Sequence, residues 1–396
     1  SVFLLKVAAD FSELANANEA TALCAIVTLA GQRSTLPASK VGPPSALNDL
    51  LDLNMSVATN EWREIFRAGP GKNTARDFPE ADYNQTTDWE AKWDEWKSKA
   101  EELLNADKLK AKREQQGLKH ATEEQIAGIR PDVQKLAAEA VALQQQAEAE
   151  AQKTDLLTTE TVQQMLNAAV YGRDKEPVGA EIATGNFEAA TGGSRDTLCT
   201  GEKNTGKTKT VLGTLACLCM KESTNNAHNQ DKVCRADPAM TSNWTVAGTP
   251  PNQATMEEVK KLCDTQKTAE LTAAKLEAKI DAIASLLKLC TSKATLGVYL
   301  GTDCSAQETR GICVSYNGLS QTSGKPTEVI SWLGQLHSLL GKLRKHEKAV
   351  AIRQHTADAV KAKAKITKDL IYHARPWANK NVAQKNVKKK IVTTQP

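Results

Sequence analysis

From Val259 the core-type positions advance by alternating steps of three and four: Val259, Leu262, Gln266, Ala269, Ala273, Leu276, Ile280, Ile283, Leu287 and Cys290. A seam of that period belongs to a helix that lays one face along a partner. The run Thr255-Met-Glu-Glu258 ahead of it has the form of a capping box. The pattern predicts one helix about 50 Å long at 1.5 Å per residue. A second seam, Val329, Leu333, Leu336, Leu340, Leu343 and Val350, follows Pro326, which suits a first helical turn. Two long antiparallel helices with an elaborated connection are expected.

Earlier in the chain the same reading gives a helix from about Asp10 to Ala30, with Leu23, Ile26, Val27 and Ala30 on one face and Gly31 as its stop. A second capping box, Thr87-Asp-Trp-Glu90, opens a helix whose seam is Trp89, Trp93, Trp96, Ala100 and Leu103. That seam calls for a partner helix. Gly117, Gly128 and Pro131 mark breaks or kinks, after which Asp132 to about Tyr171 regains strong helix propensity.

Between Gly172 and Pro251 the composition turns to Gly, Thr, Asn, Asp and Cys, with one short apolar segment, Val211 to Met220. Thr291 to Lys325 is a second loop-rich insert. Eight of the nine cysteines, Cys199, Cys217, Cys219, Cys234, Cys263, Cys290, Cys304 and Cys313, fall in this half, and only Cys24 lies outside it. N-glycosylation sequons start at Asn54, Asn84 and Asn243. A sequon inside a cysteine-rich stretch points to the secretory route, where disulfides form. Nine is odd, so one thiol stays unpaired, and Cys290 on the seam is the candidate for a buried free thiol.

Gly201-Glu-Lys-Asn-Thr-Gly206-Lys207-Thr208 satisfies the P-loop pattern in full. That motif works only where a buried strand leads into it and a helix leaves it, because backbone N–H groups at the helix start hold the phosphate. A helix after it is plausible here, but no strand is read before it, and nucleotide binding is the remote alternative. Cys217, Cys219, His228 and Cys234 match none of the usual zinc-finger spacings, so they read as disulfide partners and no metal site is assigned. No catalytic set and no cofactor are read from the sequence.

A formal net charge of +4 over 396 residues gives no reason to expect nucleic acid. The longest apolar runs fall short of the roughly 20 residues a membrane span needs. No signal-peptide pattern precedes Ser1, and the chain reads as processed or trimmed. The basic tail from Lys361 to Lys390 reads as a solvated helix end or linker.

Several segments together resemble the N-terminal domain of African trypanosome variant surface glycoproteins of the class called type B. They are Asn16 through Cys24 with the apolar stretch after it; Leu53 to Val57 with Trp62 and Phe66; Trp89, Trp93 and Trp96; Cys217 and Cys219; the loop from Cys304 through Gly311 to Cys313-Val-Ser-Tyr316; and Ile330-Ser-Trp332. Their order covers residues from about 12 to 375.

The resemblance implies a mainly α fold: an elongated antiparallel helical bundle or coiled coil with disulfide-stapled, loop-rich top and lower lobes. It implies a domain over 1–375, with inserted lobes at roughly 172–252 and 291–325, and a basic linker at 376–396 leading to a C-terminal domain with a GPI anchor, absent from this sequence. The implied role is a surface coat antigen that shields the cell by antigenic variation without catalysis, located on the outer face of the plasma membrane. Its implied partners are a second copy of itself (a homodimer, with trimers in the class) and host antibodies, and the membrane only through the anchor. The Asn54 sequon matches the family's position. Some members carry sugar on a Ser after the Cys-Val-x-Tyr element, where Ser320 and Ser323 lie here. The alternative within the fold is a surface receptor or host-factor-binding protein. Eight paired cysteines allow 105 arrangements; Cys304 is expected to join Cys313, and Cys24 a distant cysteine, Cys199 being the candidate.

Overall fold

The structure is a computed structural model that describes residues 11–31, 35–36, 45–79, 89–152, 157–188, 194–202, 207–223, 230–244, 249–263, 270–307 and 310–374. Among the described residues there are thirteen helices. They are α1 (Ala17–Gly31), α2 (Ser45–Val57), α3 (Asn60–Glu64), α4 (Trp89–Glu101), α5 (Ala106–Gln115), α6 (Glu123–Gln152), α7 (Thr159–Tyr171) and α8 (Arg195–Leu198). α9 (Val211–Cys219), α10 (Gln253–Lys261), α11 (Ala273–Ser285), α12 (Pro326–Val329) and α13 (Ser331–Ala374) follow. The strands are β1 (Thr200–Glu202), β2 (Lys221–Glu222), β3 (Asn243–Trp244), β4 (Lys288–Leu289), β5 (Lys293–Val298) and β6 (Ile312–Asn317). The fold is mainly α. The chain divides into two compact units, the first from Ser1–Ala38 and Asp155–Lys348, the second from Ser39–Thr154 and Ala349–Pro396.

The first unit is built around α9, whose nine residues are all buried. A helix apolar on every side has no solvent face and sits at the centre of a core. Thr210 caps it, its hydroxyl accepting from Gly213 N–H at 2.9 Å. Around it pack Leu23, Ile26 and Val27 of α1, Leu166 and Val170 of α7, Leu296 and Val314 of the sheet, and Leu333, Leu336 and Leu340 of α13. The sheet order is β1-β6-β5-β4, with β5 and β6 an antiparallel hairpin and β1 parallel to β6. The Thr291 to Lys325 stretch, read as a loop-rich insert, therefore carries two six-residue strands.

One side chain ties these layers together. Asn16 is fully buried, donates from Nδ2 to Leu218 O and Ile312 O at 2.9 Å each, and accepts at Oδ1 from Val298 N–H at 2.9 Å. Gly297, at φ +94°, makes room for it, since a Cβ there would collide with Leu218 and crowd the Asn16 amide. The helix expected from Asp10 accordingly starts only at Ala17: Leu14 and Asn16 donate backbone bonds to Lys232 O and Val233 O, and Leu14 stands at φ 63°.

The long heptad helix is two helices. α10 is capped three residues before the expected box, with Asn252 Oδ1 accepting from Thr255 N–H, and ends at Lys261. Glu270 then bridges Thr35 in parallel, Leu271 N–H donates to Thr35 O, and Thr272 caps α11. Val259, Ala273, Leu276, Ile280 and Ile283 are all buried, so the three-four spacing is satisfied by two helices facing one core. Gln266 and Ala269 lie outside the described residues. The seam does not reach Cys290, because the chain enters β4 at Lys288. α11 and α13 run antiparallel: Arg344 pairs with Glu277, and Glu347 accepts from Ala273 N–H.

In the second unit α2 is packed by α4, α5 and α6. Its C-terminal carbonyls are taken by three arginines: Arg113 Nε on Ser56 O at 2.9 Å, Arg130 Nε on Val57 O at 2.6 Å, and Arg63 Nη1 on Ala58 O. Positive charge there also suits the negative end of the helix dipole. α6 runs unbroken through Gly128 and Pro131, which were expected to interrupt it, while Gly117, at φ +83°, does end a turn. Asp132 to Tyr171 is likewise not one helix, since Thr158 caps a new one, α7. The tryptophan seam of α4 meets aromatic rings of the segment around α3 in place of a long partner helix. Trp62 lies 5.4 Å from Trp89 and 5.5 Å from Trp96, and Phe66 lies 4.7 Å from Trp93. Val360 shares a cluster with Ala137 and Ala140, and Ile371 shares another with Ile126 and Val133, so this part of α13 runs opposite to α6.

Candidate functional site

Four disulfides staple the first unit: Cys24–Cys263, Cys199–Cys217, Cys219–Cys234 and Cys304–Cys313. Cys24 is not joined to Cys199. Cys199 precedes β1 directly beneath α9 and is taken by Cys217 of that helix, while α1 passes the end of α10, where Cys263 waits. Cys290 is free, but half-exposed in the turn between β4 and β5, where a buried thiol on a helix was expected. Its sulfur lies 4.0 Å from Lys288 O.

The nucleotide-like motif is consumed by the fold. Thr200, Gly201 and Glu202 form β1, so a strand runs into the motif, contrary to the sequence reading. Gly201 serves packing, since a Cβ there would collide with the Tyr316 ring of the neighbouring β6. Lys207 and Thr208 return in backbone pairing with Phe187 and Glu188 and do not open a helix. The Thr208 hydroxyl donates to Leu198 O at 2.5 Å, and Lys207 Nζ stands 3.7 Å from a Glu188 carboxylate oxygen. The next helix, α9, has its N-terminus capped by Thr210 and closed off by Asn186 O, 2.7 Å from where a Gly213 Cβ would be. Phosphate held by that helix end would have to displace both. Lys203 to Gly206 lie outside the described residues.

The sequons differ in setting. Asn54 is half-buried in α2, with Met55 and Ser56 buried beside it and its own Oδ1 enclosed without a hydrogen-bond partner. Asn243 is exposed on β3, while Trp244 next to it is buried. Asn84 and His228 lie outside the described residues, as does Thr245, the hydroxyl residue of the Asn243 sequon. In the turn after β6, Ser320 is buried and hydrogen-bonded to Ser323, whereas Ser323 and Thr322 are exposed. Thr322 was missed by the sequence reading, although its hydroxyl is as available as that of Ser323.

Arg195, which no sequence pattern singled out, is fully buried. Its Nη2 donates to Met220 O at 2.6 Å and Cys217 O at 3.2 Å, and its guanidinium carbon lies 5.2 Å from the Trp244 ring centre. Burial pushes the guanidinium down from its ordinary range, with the Glu222 charge pulling the other way. Among the described residues no group of three or more His, Cys, Asp or Glu could hold a metal ion, and no helix is long and apolar enough to cross a membrane.

The family profile described as "Trypanosomal VSG domain" matches residues 1–362. The chain belongs to the trypanosomal VSG domain family. This VSG domain is 25% identical over 356 residues to variant surface glycoprotein ILTAT 1.23 of Trypanosoma brucei brucei, covering 87% of this chain and 66% of the relative. It is 25% identical over 340 residues to variant surface glycoprotein WRATAT A of Trypanosoma brucei rhodesiense, covering 83% and 66%. A shorter stretch of 86 residues is 30% identical to variant surface glycoprotein ILTAT 1.21 of Trypanosoma brucei brucei, 21% of this chain and 18% of that one. The VSG domain thus spans about two thirds of the length of the first and second of these relatives.

Proposed function

We propose that the protein is a surface coat antigen of a trypanosome, which shields the cell and is exchanged for other variants to evade host antibodies. The family match over residues 1–362 carries this reading. The geometry supports it, because the residues that most resemble chemistry, Gly201, Lys207 and Thr208, are spent on strand packing, an ion pair and a backbone hydrogen bond. The reading gives these residues a structural role and no catalytic one. Four disulfides hold the core of the first unit without help from the residues in its exposed turns, which leaves those turns free to vary.

The reading includes self-association into homodimers, a GPI anchor on a further domain, and residues 1–375 as the unit that carries the antigenic surface. N-glycan is assigned to Asn54, Asn84 and Asn243, and O-linked sugar to Ser323 ahead of the more enclosed Ser320.

Antibodies raised against the folded chain should label live, unpermeabilised trypanosomes expressing it, and the labelling should vanish when the cells switch variant. Failure to label the surface would overturn the proposal. Saturable binding of a single serum protein would replace it with a receptor on the same fold.

A further inference from the structure

Asn317 is the last residue of β6, and Gly318 follows it at φ +79° in the turn. It is the one asparagine among the 396 residues that has a glycine after it. The Asn317 side chain is exposed, and its amide has no hydrogen-bond partner among the described residues. The Gly318 N–H meets no acceptor among them either, and a Cβ built on Gly318 would find nothing within 4 Å. Pairing with β5 ends at Lys293 and Asn317, so the Gly318 nitrogen belongs to no ladder. By contrast, Asn16, Asn105, Asn167, Asn186 and Asn252 each spend the side chain on a bond to the fold.

A side-chain amide is stable until a backbone nitrogen can reach its carbon, and a following residue without a β-carbon leaves that approach open. We propose that Asn317 is a site of spontaneous deamidation and isomerisation on the folded protein. The Gly318 nitrogen gives its proton to a solvent base and attacks Asn317 Cγ. The new C–N bond closes a succinimide ring, the Cγ–Nδ2 bond breaks, and ammonia leaves with a proton taken back from solvent. Water then adds to one of the two ring carbonyls, and the ring C–N bond at that carbon breaks. Opening at Cγ gives aspartate, whereas opening at the backbone carbonyl gives isoaspartate, which lengthens the main chain by one methylene. The sum is an amide plus water giving a carboxylate plus ammonium.

Directly paired residues of an antiparallel ladder share a face, with Cβ atoms about 4.5–5.5 Å apart. The new carboxylate therefore lies beside Lys293, whose ammonium stands 4.5 Å from the Tyr299 ring centre. The isoaspartyl product also displaces the start of the turn that carries the exposed Thr322 and Ser323. The chemistry is independent of the coat reading. Only its bearing on antibodies rests on that reading, because this patch would then change with the age of each molecule.

The purified, folded full chain is held in warm neutral buffer, sampled over time and digested in acid, where the reaction stops. Peptide masses then report conversion at each asparagine, with a reduced and denatured sample of the same protein alongside. Asn317 should convert to a mixture of aspartate and isoaspartate faster than any other described asparagine. Gly318→Ala should slow this by roughly tenfold, about 1.4 kcal/mol in barrier height. If that variant does not fold, hydroxylamine added to the folded wild type gives a second reading, since it cleaves the succinimide between Asn317 and Gly318. All nine cysteines precede Gly318, so residues 318–396 then separate on an unreduced denaturing gel. Conversion in the denatured sample but not in the folded one would overturn the proposal. So would faster conversion at another described asparagine, an unchanged rate in folded Gly318→Ala, or no release of residues 318–396. Each of those results leaves the coat reading standing, which depends on surface labelling instead.

Discussion

Cys24 on α1 and Cys263 at the end of α10 are bonded across a sequence separation of 239 residues. The other three bonds close separations of 18, 15 and 9 residues, so this one removes the most freedom from the unfolded chain. Replacing both cysteines by serine should lower stability by about 2–5 kcal/mol. Removing Cys304–Cys313 should cost less, and urea midpoints of the two double variants would rank them. The reverse order would mean that the short bond relieves strain or holds structure that loop closure does not count.

Asn16 offers a sharper test of the core. Asn16→Ala leaves Leu218 O, Ile312 O and Val298 N–H buried without their side-chain partner, an expected loss of roughly 3 kcal/mol or more at about 1–3 kcal/mol per orphaned group. Asn16→Asp should be worse, because a carboxylate then faces two carbonyls that need a donor. Denaturation followed by far-ultraviolet circular dichroism reads both variants, and equal stability of Asn16→Asp and wild type would contradict the bonding described.

Gly201 and Lys207 separate the structural from the nucleotide reading of one motif. Gly201→Ala should cost about 1–3 kcal/mol, since its Cβ enters the space of the Tyr316 ring. Lys207→Ala should change stability by no more than about 0.5–1 kcal/mol, the worth of a partly exposed ion pair. Mg-ATP should leave the thermal midpoint of the wild type where it was, because only a ligand bound to the folded state raises it. A midpoint that rises with Mg-ATP and no longer does so in Lys207→Ala would restore the P-loop.

Asp52 sets an acid limit in the second unit. Lys99 and Lys112 approach its two carboxylate oxygens at 2.9 and 2.5 Å. Burial alone would raise this carboxyl, but hydrogen bonds from Lys112 and Lys99 and their charges outweigh it and leave the group below its usual 3.8. A carboxylate depressed in the folded state stabilises above its unfolded pKa and loses that contribution as pH falls below it. Asp52→Asn should therefore be the less stable protein at neutral pH, with the gap to wild type narrowing as pH drops below 3.8. Urea midpoints taken across that range would show it, and a gap independent of pH would assign the loss to packing.

Much of this was open to a sequence reader, and the failures have physical causes. Leu333, Leu336, Leu340 and Leu343 are buried as their spacing demands, because one helix supplies them all. The Val259 to Cys290 seam misled because period reports which side faces the core and is silent on continuity; the parallel bridge from Thr35 to Glu270 that separates α10 from α11 is a long-range contact with no local mark. Pro131 inside α6 misled in the other direction, since packing of Ile126, Ile129 and Val133 and the anchoring of Arg130 on Val57 outweigh one missing helix hydrogen bond. Asn16 lay inside the helix expected from Asp10 to Ala30, and nothing in its neighbours announces that its amide would join three distant segments.

The turn after β6 is stitched to another part of the chain. Gln321 N–H donates to Cys290 O, and its side-chain amide to Leu289 O at 3.2 Å. An antibody reaching Thr322 or Ser323 would thus read a shape held by residues more than thirty positions earlier. A synthetic peptide copying residues 318–324 lacks that support and would sample many conformations, so serum raised against it should recognise the intact protein poorly. An immunogen meant to reproduce this patch needs the β4–β5–β6 sheet beneath it.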